Sequence, residues 1–294
     1  MRKVKIITDS CSDLTTELRN ANDIDYVKMN IVVKGEEKPA SLDWDLYSPK
    51  ELYDWMRNGE KITTTQVPQK EFTDTFTKYV EAGCDIVYIA CAAVLSSSVN
   101  AGEVIAKQIM AEHPEAKIFC INSLNSCMGQ GILVLHAAQL RDEGKSAEEI
   151  AQIITDERLS SNQFCSIETL DYLKRAGRVK ASSAFFGNLF GVKPIIISDM
   201  NGQNFAIKKI KGRVASMDEI VNLMNEAIID PQNQTVYVGH ADAMEDADYL
   251  VEKVREVIKP KDVQKFYIGP IIGASTGPGT VVLYAKGKNV EIAG

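Results

Sequence analysis

The sequence predicts an α/β protein of two domains. An N-terminal domain, residues 1–160, is built on a mostly parallel sheet flanked by helices, and a C-terminal domain, residues 161–294, on a mixed sheet. Three observations carry this expectation. Short β-branched runs alternate with amphipathic helical stretches through the first half. After about residue 159 the rhythm changes and a hairpin turn enters. The 294 residues also exceed one domain of ordinary size, about 100–200 residues.

In chain order, VKIIT (4–8), YVKMNIVV (26–33), DIVYIAC (85–91) and KIFCIN (117–122) read as strands. Between and after them, apolar residues at three- and four-residue spacing predict helices over 49–58, 69–82, 98–112, 128–143 and 146–158. Thr63-Thr64-Thr65-Gln66 reads as a loop between two helices. Such alternation covers both faces of a parallel sheet. The second half gives strands over 163–167, 194–198, 204–210, 235–239, 262–269 and 280–286, and helices over 169–176, 216–229 and 245–258. Met200-Asn201-Gly202 has the chemistry of a hairpin connection, so at least one pair here is antiparallel.

Composition narrows the function. The apolar fraction is 45% and the charged fraction 25%, ordinary for a folded domain with a sizeable core. The formal charge is −7 with cations scattered, which disfavours nucleic acid as a partner. The first apolar run ends at Ile7, too early for a signal segment or a membrane span, so a cytoplasmic protein without membrane insertion is expected. The six cysteines lack paired C-x-x-C spacing, so no metal is expected and the thiols are read as reduced. Most lie in strand-like apolar runs; Cys11 lies in a polar loop.

Several strands of the first half run into hydroxyl-rich loops: Thr8-Asp9-Ser10-Cys11-Ser12-Asp13, Ser96-Ser97-Ser98 and Asn122-Ser123, which Thr63–Gln66 is placed to join. A parallel sheet gathers such loops at one end, where ligands of open α/β sheets bind. Each residue is equally accounted for as a helix cap. Ser96–Ser98 opens a helix, where free N–H groups and the helix dipole suit a carboxylate.

Residues for chemistry are harder to find. His113, His136 and His240 fall at a helix end, inside a helix and after a strand. Ser96 has no G-x-S-x-G elbow, and no nucleotide-binding loop is present. Gly273–Gly279 is glycine-rich but has no lysine; it reads as a turn between strands or as a ligand wall. No cofactor is expected.

The ordered set of motifs resembles the DegV family of bacterial fatty-acid-binding proteins, end to end. Ile6-Ile7-Thr8-Asp9-Ser10-Cys11-Ser12-Asp13-Leu14 resembles that family's I-x-T-D-S-x-x-D-L, and Thr64-Thr65-Gln66 its T-S-Q loop. Leu95-Ser96-Ser97-Ser98 is similar to L-S-G-T, and Thr169-Leu170-Asp171-Tyr172-Leu173 with Gly177-Arg178 to D-T-L-x-Y-L-x-x-G-G-R. Lys193-Pro194-Ile195, Gly239-His240-Ala241-Asp242-Ala243 and Ile268–Gly279 resemble K-P-I, H-G-D-A and I-G-P-V-I-G-x-H-T-G-P-G. Ser97 stands in place of a glycine, Ser275 of a histidine, Asn122 of an aspartate and Ala176 of a glycine.

The resemblance implies that a long-chain fatty acid lies in a tunnel between the domains. Its carboxylate would be held by Thr64, Thr65, Ser96, Ser97, Ser275 and Thr276 and presented to a separate fatty acid kinase, which forms the acyl phosphate. The chain itself would then be no enzyme and would serve phospholipid metabolism. For the acyl chain, the aromatics of the apolar segment Ala184–Gly191, Phe185, Phe186 and Phe190, offer a tunnel wall or an ordinary core. Arg178, Lys211 and Arg213 offer contacts to the partner or the new phosphate, or a solvated basic face. Two alternatives stand beside this reading: a carrier of another amphiphilic acid, prompted by Ser275, and an acyl-transfer enzyme using Ser96 or Cys11.

Overall fold

Strand β1, Lys3–Asp9, enters the core as its burial deepens toward Asp9, and leads through helix α1, Thr16–Ala21, to β2, Ile24–Val27. The chain then forms β3, Asn30–Val33, and β4, Glu36–Pro39, followed by helix α2, Pro49–Arg57, strand β5, Thr63–Thr65, and helix α3, Gln69–Glu81. Next come β6, Cys84–Ala90, α4, Ser98–Glu112, β7, Ile118–Asn122, α5, Cys127–Asp142, and α6, Ala147–Glu157. This computed structural model describes residues 2–182, 185 and 191–294. Strands β2-β1-β6-β7 form a parallel sheet in that order, as the alternation predicts.

The second half contributes β8, Ser161–Ser166, α7, Asp171–Ala176, β9, Val192–Ser198, and β10, Asn204–Lys211. After these come α8, Arg213–Ala227, β11, Thr235–His240, α9, Met244–Val257, β12, Asp262–Tyr267, α10, Pro270–Thr276, and β13, Val281–Lys286. Its six strands run in the order β10-β9-β8-β13-β11-β12, and only β11 and β12 pair in parallel. The turn at Met200–Gly202 joins β9 to β10 as an antiparallel pair, as its chemistry predicts.

Three sequence expectations are corrected. The run 26–33 is two strands in two sheets. After Val27 the chain leaves the parallel sheet, held by the Met29 N–H donating to Ser10 Oγ at 3.0 Å and the Lys28 N–H to Glu71 at 3.2 Å. Thr63–Thr65 is a strand, because β3 offers it an antiparallel edge and a small sheet, β4-β3-β5, results. The stretch around Gly273 is the last turns of α10, started by Pro270 at the first helical position and stopped by Gly277 with φ +85°. Helix α1 and strand β4 had no apolar periodicity to announce them.

Two features of the packing position the site. On β13, Val281, Leu283 and Ala285 face the core under α8 and α9, whereas Val282 and Tyr284 face the first half of the chain. Helix α5 packs against β1 on one side and against β8 and β13 on the other, so even Gly129 and Gln130 are buried in it. A Cβ at Gly129 would come within 2.8 Å of Asn125 Oδ1 and 3.3 Å of the Tyr284 ring, so the glycine sets how near α5 and β13 approach. The halves are further tied by Tyr53 Oη donating to Ile268 O at 2.6 Å and by the Arg57–Asp242 ion pair.

Candidate functional site

A cavity of about 210 Å³ lies where the two larger sheets, the small sheet and α10 meet. The parallel sheet supplies the residues that follow its central strands, Cys11 after β1 and Cys91, Leu95, Ser96 and Ser97 after β6. This is the carboxyl-end crevice expected of an open sheet. Met29, Thr64 and Thr65 come from around the small sheet, and Gln163, Cys165, Thr280, Val282 and Tyr284 from β8 and the β13 edge. Helix α10 adds Ile271, Ile272, Ser275 and Thr276.

All six hydroxyl residues expected from the resemblance line this cavity, with different commitments. Thr65 Oγ1 donates to Glu37 at 2.9 Å, whereas Thr64, half-buried between two exposed threonines, has no hydrogen-bond partner among the described residues. The Val67 N–H donates to Ser98 Oγ at 3.2 Å, and Ser98 Oγ lies 2.9 Å from Ser96 Oγ, which also accepts the Ser98 N–H at 3.3 Å. In the arrangement where the Ser98 hydroxyl donates this hydrogen bond to Ser96 Oγ, the Ser96 hydroxyl is left to donate into the cavity. Ser97 is the N-cap of α4 yet makes no capping bond; Ser96, one residue before it, takes the first helical N–H instead. Ser275 and Thr276 donate to Ile271 O at 3.4 Å and Ile272 O at 3.0 Å, back along their helix, and keep acceptor capacity for a ligand.

The charge pattern of the lining is lopsided. Among the described residues Arg178, whose Nε donates to Leu95 O at 3.1 Å, is its one cation, and no carboxylate faces the space. The two other basic residues named from the sequence are elsewhere. Arg213 is tied to Asp246 at 2.8 Å and to Gly279 O at 2.6 Å, and exposed Lys211 ends β10 away from the lining. Of the three aromatics, Phe185 lies outside the lining, half-buried under Lys209 at 5.2 Å; Phe186 and Phe190 lie outside the described residues. The apolar wall comes instead from Met29, Leu95, Leu173, Ile268, Ile271 and Val282. Met29, Leu95 and Ile268 lie in connections between elements, and Leu173, Ile271 and Val282 come from α7, α10 and β13, so no single periodic run gathers them in the sequence.

Beneath the cavity the first loop is structural. Asp9, fully buried, accepts from the Cys11 and Cys91 N–H groups, Tyr88 Oη and Gln130 Nε2. Complete desolvation still outweighs those donors and raises its pKa. Cys11, despite its polar neighbours in sequence, is buried with Sγ 3.5 Å from Met29 Sδ. The adjoining Cys91 thiol, then burial, push its pKa well up, so it is a neutral thiol. His240 is buried against Tyr267 and pushed by burial down to about 4, away from the lining. Among the described residues no histidine, aspartate, glutamate or lysine lines the cavity to act as a base for Ser96.

Asp13 is buried against Gly269, where a Cβ would fall 2.2 Å from its Oδ1, and neither carboxylate oxygen makes a well-formed hydrogen bond among the described residues. Burial pushes its pKa up to about 7, only partly offset by the Cys127 thiol and Gly269 N–H, with Asp9 adding to the rise. The folded state therefore binds a proton that the unfolded chain, with an ordinary Asp near 3.9, releases. Stability should fall by about 3–4 kcal/mol as pH rises from about 4 to about 7 on this account. Urea unfolding at either end of that window should show Asp13→Asn losing this share of the slope; an unchanged slope would place the proton elsewhere.

Comparisons agree with this architecture. A family model described as an uncharacterised protein of the DegV family matches residues 3–286. A DegV domain-containing protein of Clostridium perfringens is 32% identical over 291 residues, covering 99% of this chain and 100% of the relative. Among solved structures, the fatty-acid-binding DegV family protein of Thermus thermophilus superposes with a TM-score of 0.87 at 24% identity, covering 98% of this chain and all of that one. A stearic-acid-binding protein of Eubacterium ventriosum gives 0.86 at 24%, covering 97% and 98%.

Proposed function

The chain belongs to the DegV family, and from that premise we propose that it holds a long-chain fatty acid with the carboxylate at Ser96, Thr64 and Arg178 and the acyl chain in the cavity between the sheets. The observation that carries this is the lining itself: among the described residues it has one cation, the Thr64 and Ser96 hydroxyls able to donate and an apolar wall, with no anion to repel a carboxylate and no base to activate a nucleophile. Ser97, Thr65, Ser275 and Thr276 complete the hydroxyl collar. A methylene is worth about 0.8 kcal/mol on burial, so the chain supplies most of the affinity and the collar fixes which end is bound.

The carboxylate end would be presented to a separate fatty acid kinase in the cytoplasm. Thr65, Gln66 and Ser97 are exposed at that end, and a neighbouring hollow of about 150 Å³ shares Thr64, Arg178 and Ser275 with the cavity. Arg175, over the Tyr172 ring at 4.9 Å, lines this hollow and adds a second cation near a nascent phosphate. Among the described residues no helix is long and apolar enough to cross a membrane. Acyl transfer by Ser96 or Cys11 draws no support from this site, since Ser96 has no adjacent base and Cys11 is a neutral buried thiol.

The test is chemical. Protein purified natively from a bacterial host should release, on solvent extraction and mass spectrometry, a fatty acid near one equivalent. A protein that comes out empty and takes up no added fatty acid would defeat the reading.

A further inference from the structure

The far end of the cavity is polar, which a plain hydrocarbon tail does not require. In β8 and β13 the inward positions pair as Cys165 with Val282 and Gln163 with Tyr284, and Thr280 begins the same face. Thr280 Oγ1 donates to Thr276 O at 3.1 Å, so this row starts at the hydroxyl collar and runs away from it. Gln163 and Ser126, only 6% and 5% exposed, both line the space. Tyr284 Oη donates to Gln163 Oε1 at 3.3 Å, leaving the Gln163 amide Nε2 without a partner among the described residues. Ser126 is the N-cap of the sixteen-residue α5 but makes no capping bond, and its hydroxyl has no partner among those residues either. The first turn of α5 abuts this pair, since a Cβ at Gly129 would touch the Tyr284 ring.

Two unpaired polar side chains, each more than nine-tenths buried, and a helix N-terminus thus open onto the same part of the cavity. Burying them without a partner is costly, so a ligand atom that accepts hydrogen bonds is favoured there. The group is neutral: no cation lines this end, and Asp13 lies close by, facing Cys127 beside Tyr284. We propose that Gln163 and Ser126 form a second polar subsite that receives a hydroxyl or keto oxygen borne on the acyl chain, so that an oxygenated fatty acid is the preferred ligand. This rests on the carboxylate lying at the Ser96 collar.

The position of that oxygen follows from the strand. Thr280, just before β13, and Tyr284 within it are four residues apart, about 13 Å at strand rise. An extended saturated chain covers about 1.2 Å per bond, so the oxygen belongs about eleven bonds from the carboxyl carbon. Ricinoleate carries its hydroxyl at that place and otherwise matches oleate.

Competitive displacement of a fluorescent fatty acid from the delipidated full chain would compare ricinoleate with oleate, its saturated counterpart with stearate, and α-hydroxystearate with stearate. Ricinoleate and its saturated counterpart should bind about tenfold tighter than their plain partners, the size of one well-made hydrogen bond, and α-hydroxystearate should gain nothing. Gln163→Leu and, separately, Ser126→Ala should each reduce the ratio of ricinoleate to oleate affinity several-fold, and a ratio that stays at the wild-type value in both would overturn the subsite. Equal affinity for ricinoleate and oleate would overturn the subsite and leave fatty-acid binding standing. Failure of every fatty acid to displace the probe would overturn both. The wild-type series decides the matter even if one variant fails to fold.

Discussion

Asp9→Ala should destabilise the protein by about 3–5 kcal/mol, seen as a lower urea midpoint at fixed pH. The carboxylate accepts from four buried donors on three parts of the chain: Cys11 N, Cys91 N, Tyr88 Oη and Gln130 Nε2. Alanine strands all four in a site where each orphan costs about 1–3 kcal/mol, with relaxation keeping the sum below simple addition. The ends of β1 and β6 would lose their common anchor, and Cys11 and Cys91 with them as cavity floor. Ligand uptake should therefore fall together with stability. A midpoint that barely moves would mean that the donors find water and that Asp9 does not organise this end of the sheet.

Ser96→Ala, and Thr64→Val beside it, should each weaken fatty-acid binding by about 10–100-fold, the worth of a hydrogen bond to a charged group. The acyl chain keeps its apolar contacts, so binding should survive at the lower affinity. Ser98→Ala should produce part of the Ser96→Ala loss without touching ligand, because Ser98 orients the Ser96 proton through the 2.9 Å contact and is itself fixed by the Val67 N–H. Titration with a fluorescent fatty acid, with circular dichroism as the folding control, reads all three. A Ser96→Ala protein within twofold of wild type would remove the serine from the head-group site.

How far the fold was legible depended on burial pattern. The helix over 98–112 and the strands over 85–91 and 235–239 were plain because one period dominates each window. The run 26–33 read as one strand because nothing in Val27-Lys28-Met29 marks a break: the bend is imposed by Ser10 and Glu71, distant in sequence. Helix α10 was hidden by its glycines, which there relieve crowding; a Cβ at Gly273 would fall 2.4 Å from Tyr53 Oη. For the site, the hydroxyl collar was visible as motifs, and the deep wall was not. Gln163 sits in a buried strand rich in polar residues and Tyr284 in an apolar one, and only the pairing of β8 with β13 shows that they share a rung. Lys211 and Arg213 stood out in the sequence by charge alone, yet Arg213 is spoken for by Asp246 and Lys211 lies away from the cavity.

The alternation along β13 bears on how such a protein diversifies. Val281, Leu283 and Ala285 serve the core of one half, whereas Thr280, Val282 and Tyr284 border the ligand space. On the proposed function, every second residue of this short segment would be constrained by folding, and the residues between by cargo. A lineage can retune what it carries by exchanging the latter set while the former stays fixed, so paralogous copies within one genome would be expected to diverge at 282 and 284 ahead of 281, 283 and 285.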